Sequence, residues 1–409
     1  FEELLMRSRG NGVRYLRGLP GEVREDPASG NLWVTVENTT ANRLETHEFD
    51  MLVLSVGATP SVDTEPIRQM VSLSRSPSGF LKEAHAKLRP VDTPTKGVYI
   101  AGAAESPKDV RESVTQASAA ASRASILLSK SRFAVDAITA VVDPDLCKMC
   151  GQCAGVCPFG AIHWEKKQVA RITSAACAGC GTCAAECRFG AIEMRHFSDQ
   201  AIYAQIDAIL EEDSLQKIVT FACNWCSYAG ADTAGVGRMA YPPHARIIRT
   251  MCSGRVNPEF VWYAFKKGAP VVLVSGCHYV DCHYIDANRS TTRRLDGLWD
   301  GLEKAGLRPD RLLLEWCSAA EGPRWQTIMI EAEKKRASVA LDEIEQTRTL
   351  LATARAPSPR NPKPAEEGQD SDFACMRCGH RWTGYFSANL ERICPNCRSN
   401  SVRWLRTAA

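Results

Sequence analysis

The sequence predicts a multidomain protein of mixed α/β and α+β class, built from several small units instead of one large core. Three observations lead there. The 18 cysteines fall in three sets, eight between 147 and 187, six between 223 and 317 and four between 375 and 397, while residues 1–146 have none. Apolar runs such as MLVLSV (51–56) and APVVLVSG (269–276) read as buried strands, and strands alternating with helices such as PEFVWYAFKKG (258–268) favour a small parallel sheet. A Pro-rich charged stretch, PSPRNPKPAEEGQDSD (357–372), has no core-forming residues and separates the last cysteines from the rest.

The 409 residues allow two to four domains. An apolar fraction of 44% and a charged fraction of 24% are ordinary for globular protein. A net charge of +3 without any long basic run gives no nucleic-acid signal. No apolar stretch approaches the ~20 residues a spanning helix needs, and no signal peptide is visible. The chain opens at Phe1 in what reads as the middle of a helix, so it is expected to be a fragment or the trailing part of a longer or split polypeptide. A secreted disulfide framework does not suit C-x-x-C grouping in a chain this long. That grouping points to thiolates on metal in a reducing cytoplasm.

Residues 1–135 read as the end of an α/β domain. NLWVTVEN (31–38) is a strand, EFDMLVLSVGATPS (48–61) is an apolar strand entering a Gly turn, and KGVYIAGAAESPKDVRESVTQASAAASRA (96–124) gives strand, Gly turn and a small-residue helix. A helix N-terminus offers free N–H groups to an anionic ligand. These stretches resemble the C-terminal half of a thioredoxin-reductase-like flavoprotein: VLSVGATP its second turn, GVYIAGAAESPKDVRESVTQASAAA its final FAD-binding strand and helix. The resemblance implies FAD contacts at Gly57, Ala58, Gly102, Ala103, Lys108, Asp109, Val110 and Gln116. Two departures matter. Ala103 stands where the family has an Asp on the ribityl chain, and the G-x-G-x-x-G turn is missing. FAD is therefore expected only with the missing N-terminal half supplied. Absent a flavin, the segment is a structural α/β remnant and Lys108 and Asp109 a solvated helix start.

Residues 136–200 carry the strongest signal. CKMCGQCAGVCP (147–158) and CAGCGTCAAECRFGAI (177–192) are both C-x-x-C-x-x-C-x-x-x-C, and the repeat extends to CPFGAI against CRFGAI. This is the bacterial two-cluster ferredoxin pattern, in which the fourth cysteine of each run crosses to the other cluster. Cys147, Cys150, Cys153 and Cys187 are expected to hold one [4Fe-4S] cluster, and Cys177, Cys180, Cys183 and Cys157 the other. Gly151, Gly179 and Gly181 permit the tight turns between ligands. Arg188 replaces the Pro158 of the first run without removing a ligand. A zinc knuckle does not account for eight thiols in this order.

Residues 201–335 place cysteines at the C-terminal ends of predicted strands: CNWC (223–226), Cys252 after ARIIRTM, and Cys277 and Cys282 in GCHYVDCHY. Five thiols are one more than a cluster needs. A [2Fe-2S] cluster on four of Cys223, Cys226, Cys252, Cys277 and Cys282 fits best, and spacing does not choose between Cys277 and Cys282. A Rieske site using His278 and His283, a zinc site and a catalytic thiol fit less well. The two histidines read as donors to cluster sulfur or as packed polar groups. Arg255 reads as a counter-charge to a reduced cluster or a partner for a carboxylate, and Cys317 as a small buried side chain.

The order flavin half-domain, two-cluster ferredoxin, cysteine-rich α/β unit resembles the A-type subunit of heterodisulfide reductase fused to the delta subunit of methyl-viologen-reducing hydrogenase. The stretches FACNWCSYAGADTAGVGRMAYPPHARIIRTMCSGRVNPEF (221–260), GCHYVDCHY (276–284) and LEWCSAAEG (314–322) carry the delta likeness, and the resemblance spans roughly residues 1–335. It implies an electron-transfer subunit of a cytoplasmic oxidoreductase complex. Electrons would enter the [2Fe-2S] domain from a hydrogenase or formate dehydrogenase and pass by a flavin and the two [4Fe-4S] clusters. They would leave to a disulfide reductase of the heterodisulfide reductase B and C type or to a ferredoxin, with flavin-based bifurcation as in several members. A glutamate-synthase-small-subunit-like reductase is the rival among enzymes, and a zinc-binding scaffold the rival among binding proteins.

Residues 336–372 comprise the end of a charged amphipathic helix (333–356) and the linker. Residues 373–409 hold Cys375, Cys378, Cys394 and Cys397 as two C-x-x-C knuckles, a zinc-ribbon signature with a rubredoxin-type iron as the alternative. So short a segment cannot bury a large core, and the metal is expected to hold its fold.

Overall fold

The computed structural model describes residues 2–71, 73–76, 78–84, 89–132, 137–357 and 368–405. Two compact units divide the chain, Phe1–Ala58 and Thr59–Ala409. In the first, α1 (Glu2–Gly10) precedes an antiparallel meander of β1 (Pro20–Glu25), β2 (Leu32–Asn38) and β3 (Arg43–Phe49). β2 is the NLWVTVEN strand; its Val34 and Val36, two residues apart, are buried on one face. MLVLSV is not the buried strand its composition suggests. Residues 51–56 lie in no ladder, with Val53 81% and Val56 80% exposed. β-branched residues favour extended backbone, but a strand also needs a neighbour for its N–H and C=O groups, and no described segment supplies one.

The second unit opens with α2 (Thr64–Met70) and α3 (Val110–Leu128). The strand expected at 98–101 shrinks to one bridge, Asp92 with Tyr99. α3 is the expected small-residue helix. The Asp109 side chain accepts from the Glu112 N–H at 2.7 Å and Glu112 accepts from the Asp109 N–H at 3.1 Å, a reciprocal cap. No described α3 residue is buried, and Arg123 ties the helix down with 3.0 and 2.9 Å bonds to Asp92.

The sequence repeat folds as a structural repeat. β4 (Ala140–Val142) pairs with β7 (Ile192–Met194), and β5 (Ile162–His163) with β6 (Arg171–Ile172). Short helices α4 (Gln152–Gly155) and α5 (Thr182–Glu186) follow Gly151 and Gly181, whose φ of 77° and 79° is left-handed.

After α6 (Asp199–Leu210) comes the parallel sheet: β8 (Ile218–Cys223), β9 (Ala245–Thr250), β10 (Val271–Gly276) and β11 (Leu312–Trp316) in spatial order β11-β10-β8-β9. The crossovers are α7 (Ser227–Val236), α8 (Pro258–Lys266) and α9 (Ala287–Lys304), and α10 (Gly322–Ala337) follows β11. Strand residues alternate between two cores. Val219, Phe221, Val272, Val274, Leu312 and Leu314 pack on the side of α6, α8 and α9, while Ile218, Ala222, Val271, Leu273 and Leu313 pack on the side of α7 and α10. Helices on both faces explain why β8, β10 and β11 are apolar runs without polar alternation. Strand order reverses between β8 and β10, which opens a crevice at their carboxyl ends.

The helix expected over 333–356 is two helices. α10 stops at Ser338, and α11 (Leu341–Leu351) buries Ile344, Thr347 and Leu351. Of the expected linker, residues 358–367 lie outside the described residues. Beyond it β12 (Asp370–Cys375), β13 (Arg381–Tyr385) and β14 (Val402–Leu405) make a three-stranded antiparallel sheet. It docks on the β11 edge: Ser401 Oγ accepts from Leu314 N–H and donates to Leu314 C=O, both at 2.9 Å. An open sheet edge is thus covered without adding a strand. No described helix is long and apolar enough to cross a membrane.

Candidate functional site

The ferredoxin-like repeat brings its thiols into two crossed groups. Cys147, Cys150, Cys153 and Cys187 line one small pocket together with Val142, Trp164 and Ile192. Burial pushes the Cys153 thiol up to about 11, and Cys150, Cys187 and Cys147 add to the shift. In the other group burial pushes Cys180 up to about 12, against the Thr182 backbone N–H, with Cys157 and Cys177 contributing. Backbone N–H groups already point at sulfur, Ala191 to Cys187 at 3.3 Å and Ala140 to Cys177 at 3.5 Å. Buried thiols this reluctant to ionise suit positively charged iron, which stabilises the thiolate form.

The second unit gathers the other five thiols at the strand ends. Cys223 ends β8, Cys226 follows it, Cys252 follows β9, and Cys277 and Cys282 follow β10; all five are buried. Cys223 and Cys277 sulfurs are 3.8 Å apart. Hydrogen bonds with Cys252 and Cys277 hold Cys223 well below the ordinary thiol value, and bonds with the same two do so for Cys282. Burial, together with Cys223 and Cys282, pushes Cys252 well above it. This group is continuous with the ferredoxin segment, because Cys180 belongs to the same buried cluster and Phe159 and Ala178 pack against it. Phe159 meets Tyr284 edge-on, ring centroids 6.4 Å apart.

Charged side chains line the seam. Arg294 on α9 donates to Glu186 on α5 and to the Gly254 carbonyl, both at 2.7 Å, and Arg293 donates to Glu186 at 3.0 Å. Arg255, 1% exposed, pairs with Asp199 and donates to the Phe197 carbonyl at 3.1 Å. The carboxylate alternative for Arg255 is therefore realised. Its Nε and Nη1 nevertheless stay buried without a hydrogen-bond partner among the described residues. Its stem lies where a Cβ on Gly181 would go, 2.5 Å from Cδ. Neither Glu186 nor Arg294 stands out in the sequence, where a charge within a helix reads as a solvated face.

His278 spends both ring nitrogens on carboxylates, Nδ1 on Glu391 and Nε2 on Glu321, each at 2.9 Å, which excludes a Rieske role. His283 stacks on Trp225 with centroids 3.9 Å apart. Cys317 is a buried thiol between β11 and α7, pushed up to about 12 by burial.

Cys375, Cys378, Cys394 and Cys397 converge, all four sulfurs within 4.8 Å of one another. That compactness suits one tetrahedral ion and not a bridged cluster.

The flavin candidates divide between the units. Gly57 and Ala58 close the first. In the second, Gly102 and Ala103 form a single 3-10 turn after which Lys108 pairs with Glu105 at 2.7 Å. Asp109 caps α3, Val110 opens it, and Gln116 Oε1 accepts from the Gly102 N–H at 2.7 Å. Asp109 and Gln116 are thus engaged within the chain.

Comparison with known proteins agrees with this layout. Residues 218–338 match the family described as methyl-viologen-reducing hydrogenase, delta subunit, and residues 140–163 match the 4Fe-4S binding domain. The chain is 43% identical over 354 residues to the A-type subunit of the ferredoxin:CoB-CoM heterodisulfide reductase of Methanosarcina mazei, covering 86% of this chain and 44% of that protein. It is 48% identical over 215 residues to the A-type subunit of the H(2):CoB-CoM heterodisulfide,ferredoxin reductase of Methanothermobacter thermautotrophicus, 52% of this chain and 32% of that one. To the D-type iron-sulfur subunit of the F420-non-reducing hydrogenase vhc of Methanococcus voltae it is 55% identical over 113 residues, 28% of this chain and 78% of the relative. The chain thus spans less than half the length of the heterodisulfide reductase relatives it matches. It belongs to the hydrogenase delta-subunit family through residues 218–338, joined in one polypeptide to a segment homologous to the A-type subunit of heterodisulfide reductase.

Proposed function

We propose that the chain is an iron–sulfur electron-transfer subunit of a heterodisulfide-reductase-type oxidoreductase complex in a reducing cytoplasm. The observation that carries the reading is the continuity of Cys180 with Cys223, Cys226, Cys252, Cys277 and Cys282 in one buried cluster. On this reading Cys147, Cys150, Cys153 and Cys187 hold one [4Fe-4S] cluster and Cys177, Cys180, Cys183 and Cys157 the second, and four of the five strand-end cysteines hold a [2Fe-2S] cluster. Cys375, Cys378, Cys394 and Cys397 hold one zinc. The clusters, once bound, supply one-electron transfer. The residues themselves exclude water, fix the sulfurs and place buried cations, Arg255 and Arg294, beside the thiol groups. The adjacency favours direct exchange between the delta domain and the ferredoxin segment, with no flavin interposed there. FAD is assigned to the complete flavin domain, of which Gly57, Ala58, Gly102, Ala103, Lys108, Asp109, Val110 and Gln116 are this chain's share. Partners follow the relatives: a hydrogenase or formate dehydrogenase on one side, heterodisulfide reductase B and C type subunits or a ferredoxin on the other.

Anaerobic purification with iron and acid-labile sulfide assays tests this. The expected content is about ten iron with about ten sulfide per chain, and electron paramagnetic resonance after dithionite reduction should give signals of both cluster types. Protein that binds zinc at every thiol group and holds no sulfide would sink the proposal.

A further inference from the structure

We propose that the C-terminal four-cysteine ribbon is a zinc-held strut that fixes the loop presenting Cys277 and Cys282 to the [2Fe-2S] site, an inference that rests on the cluster assignment above. The ribbon has the geometry of a closed mononuclear site. Cys375 and Cys397 sulfurs are 3.6 Å apart and Cys378 and Cys394 sulfurs 3.7 Å. A tetrahedral ion with metal–sulfur bonds of about 2.3 Å sets its sulfurs roughly 3.8 Å apart. The two knuckles are matched. The residue after the second cysteine is left-handed in each, Gly379 at φ 76° and Arg398 at φ 60°, and each donates its N–H to the first cysteine's carbonyl, at 2.9 and 3.0 Å. No position for substrate or water is left among four thiolates, which is how structural zinc is held.

The ribbon's own core is small, chiefly Phe373, Phe386, Val402 and Trp404 around the cysteines. Its shape therefore depends on the ion. What that shape holds is Glu391, three residues before Cys394. Glu391 accepts from His278 Nδ1 at 2.9 Å, from the Tyr279 N–H at 3.0 Å and from Asn400 Nδ2 at 2.9 Å. His278 follows Cys277, and Tyr279 opens the single 3-10 turn that ends at Cys282. One ribbon carboxylate thus grips the segment between two of the cluster thiols. From the other side Asn288 donates to the Cys277 and His278 carbonyls, at 3.0 and 2.9 Å. A loop carrying two thiols in six residues has no sheet ladder to fix it, and Glu391 supplies that restraint from outside the domain.

The experiment uses the full chain purified anaerobically. Metal analysis should find one zinc per chain beside the iron. Glu391→Ala removes the grip but leaves the four thiols, so zinc content should stay unchanged. Its [2Fe-2S] signal, followed on incubation with an iron chelator, should decay roughly tenfold faster, as expected for losing charge-assisted hydrogen bonds, while the [4Fe-4S] signals decay as in the parent. Cys378→Ser should lose the zinc and show the same accelerated decay. If the parent holds a [2Fe-2S] cluster whose decay is unchanged in both variants, the strut is overturned and the electron-transfer reading survives. Iron in place of zinc in the ribbon of the purified protein also overturns the strut. A parent chain with zinc in the ribbon but no [2Fe-2S] cluster overturns both readings.

Discussion

Arg294 and Glu186 form a fully buried ion pair, 2.7 Å from Nη1 to Oε1, across the seam between the ferredoxin-like segment and the parallel-sheet domain. Both side chains are 1% exposed or less. Burial pulls the Arg294 guanidinium down and Glu186 opposes that pull. Removing one partner strands the other in a low-dielectric seam, at a cost of about 3–5 kcal/mol, whereas replacing both with apolar residues of similar volume is nearly neutral. Glu186→Met should therefore destabilise the chain by that amount in anaerobic denaturant titrations, and Glu186→Met with Arg294→Met should regain most of it. A single variant costing under about 1 kcal/mol would show that the pair does not hold the seam.

Gly254 makes the same seam close enough. A Cβ there would fall on Thr182 Oγ1 and within 2.9 Å of the Ala287 Cβ, closer than real side chains come. Thr182 lies between Cys180 and Cys183, and Ala287 opens α9. Gly254→Ala should therefore wedge the ferredoxin segment from the sheet domain, costing about 1–3 kcal/mol. Because both thiol groups border the wedge, iron content should fall in the variant while a control, Gly235→Ala on α7 with open space around its Cβ, keeps its iron. Unchanged iron and stability in Gly254→Ala would mean the seam yields to the methyl group.

How much of this was legible in the sequence depended on the range of the interaction. The two ferredoxin quartets are legible because their thiols lie close in sequence and the motif is repeated. The five strand-end thiols could be placed because parallel strands deliver their carboxyl ends to one edge. The Arg294–Glu186 pair could not, since its members are 108 residues apart and each alone resembles a solvated helix charge. MLVLSV departs from its expected strand for a related reason: composition reports an extended apolar preference, but a strand is decided by its neighbours. His278 reads from the sequence only as a polar group near the thiols, because its Glu391 partner lies 113 residues further on, across the linker.

The β11 edge offers a further test. Ser401 Oγ serves both the N–H and the C=O of Leu314, and Asn400 Oδ1 accepts from the Trp316 N–H at 3.3 Å. Ser401→Ala removes the hydroxyl without adding bulk and leaves both Leu314 groups buried and unpaired, at about 1–3 kcal/mol for each unsatisfied group. Hydrogen exchange should show Leu314 losing protection in the variant while Leu273, inside the sheet on β10, keeps its own. Equal protection of Leu314 in parent and variant would mean that the ribbon does not cap this edge.

Cys226 is the thiol predicted to be spare among the five at the strand ends. It is 9% exposed, against 4% or less for Cys223, Cys252, Cys277 and Cys282. The Cys223 and Cys277 sulfurs are 3.8 Å apart. A two-iron cluster takes two thiolates on each iron, and the four more deeply buried thiols supply that number. Cys226→Ser is therefore expected to retain the [2Fe-2S] signal and the parent iron content. Cys223→Ser, Cys252→Ser, Cys277→Ser and Cys282→Ser should each lose the signal with about two iron per chain, leaving the [4Fe-4S] signals in place. If Cys226→Ser loses the cluster while one of the other four variants keeps it, Cys226 is a ligand and that other cysteine is the spare thiol. If all five variants keep it, the cluster exchanges ligands freely, and the spare thiol is a reserve within reach of iron.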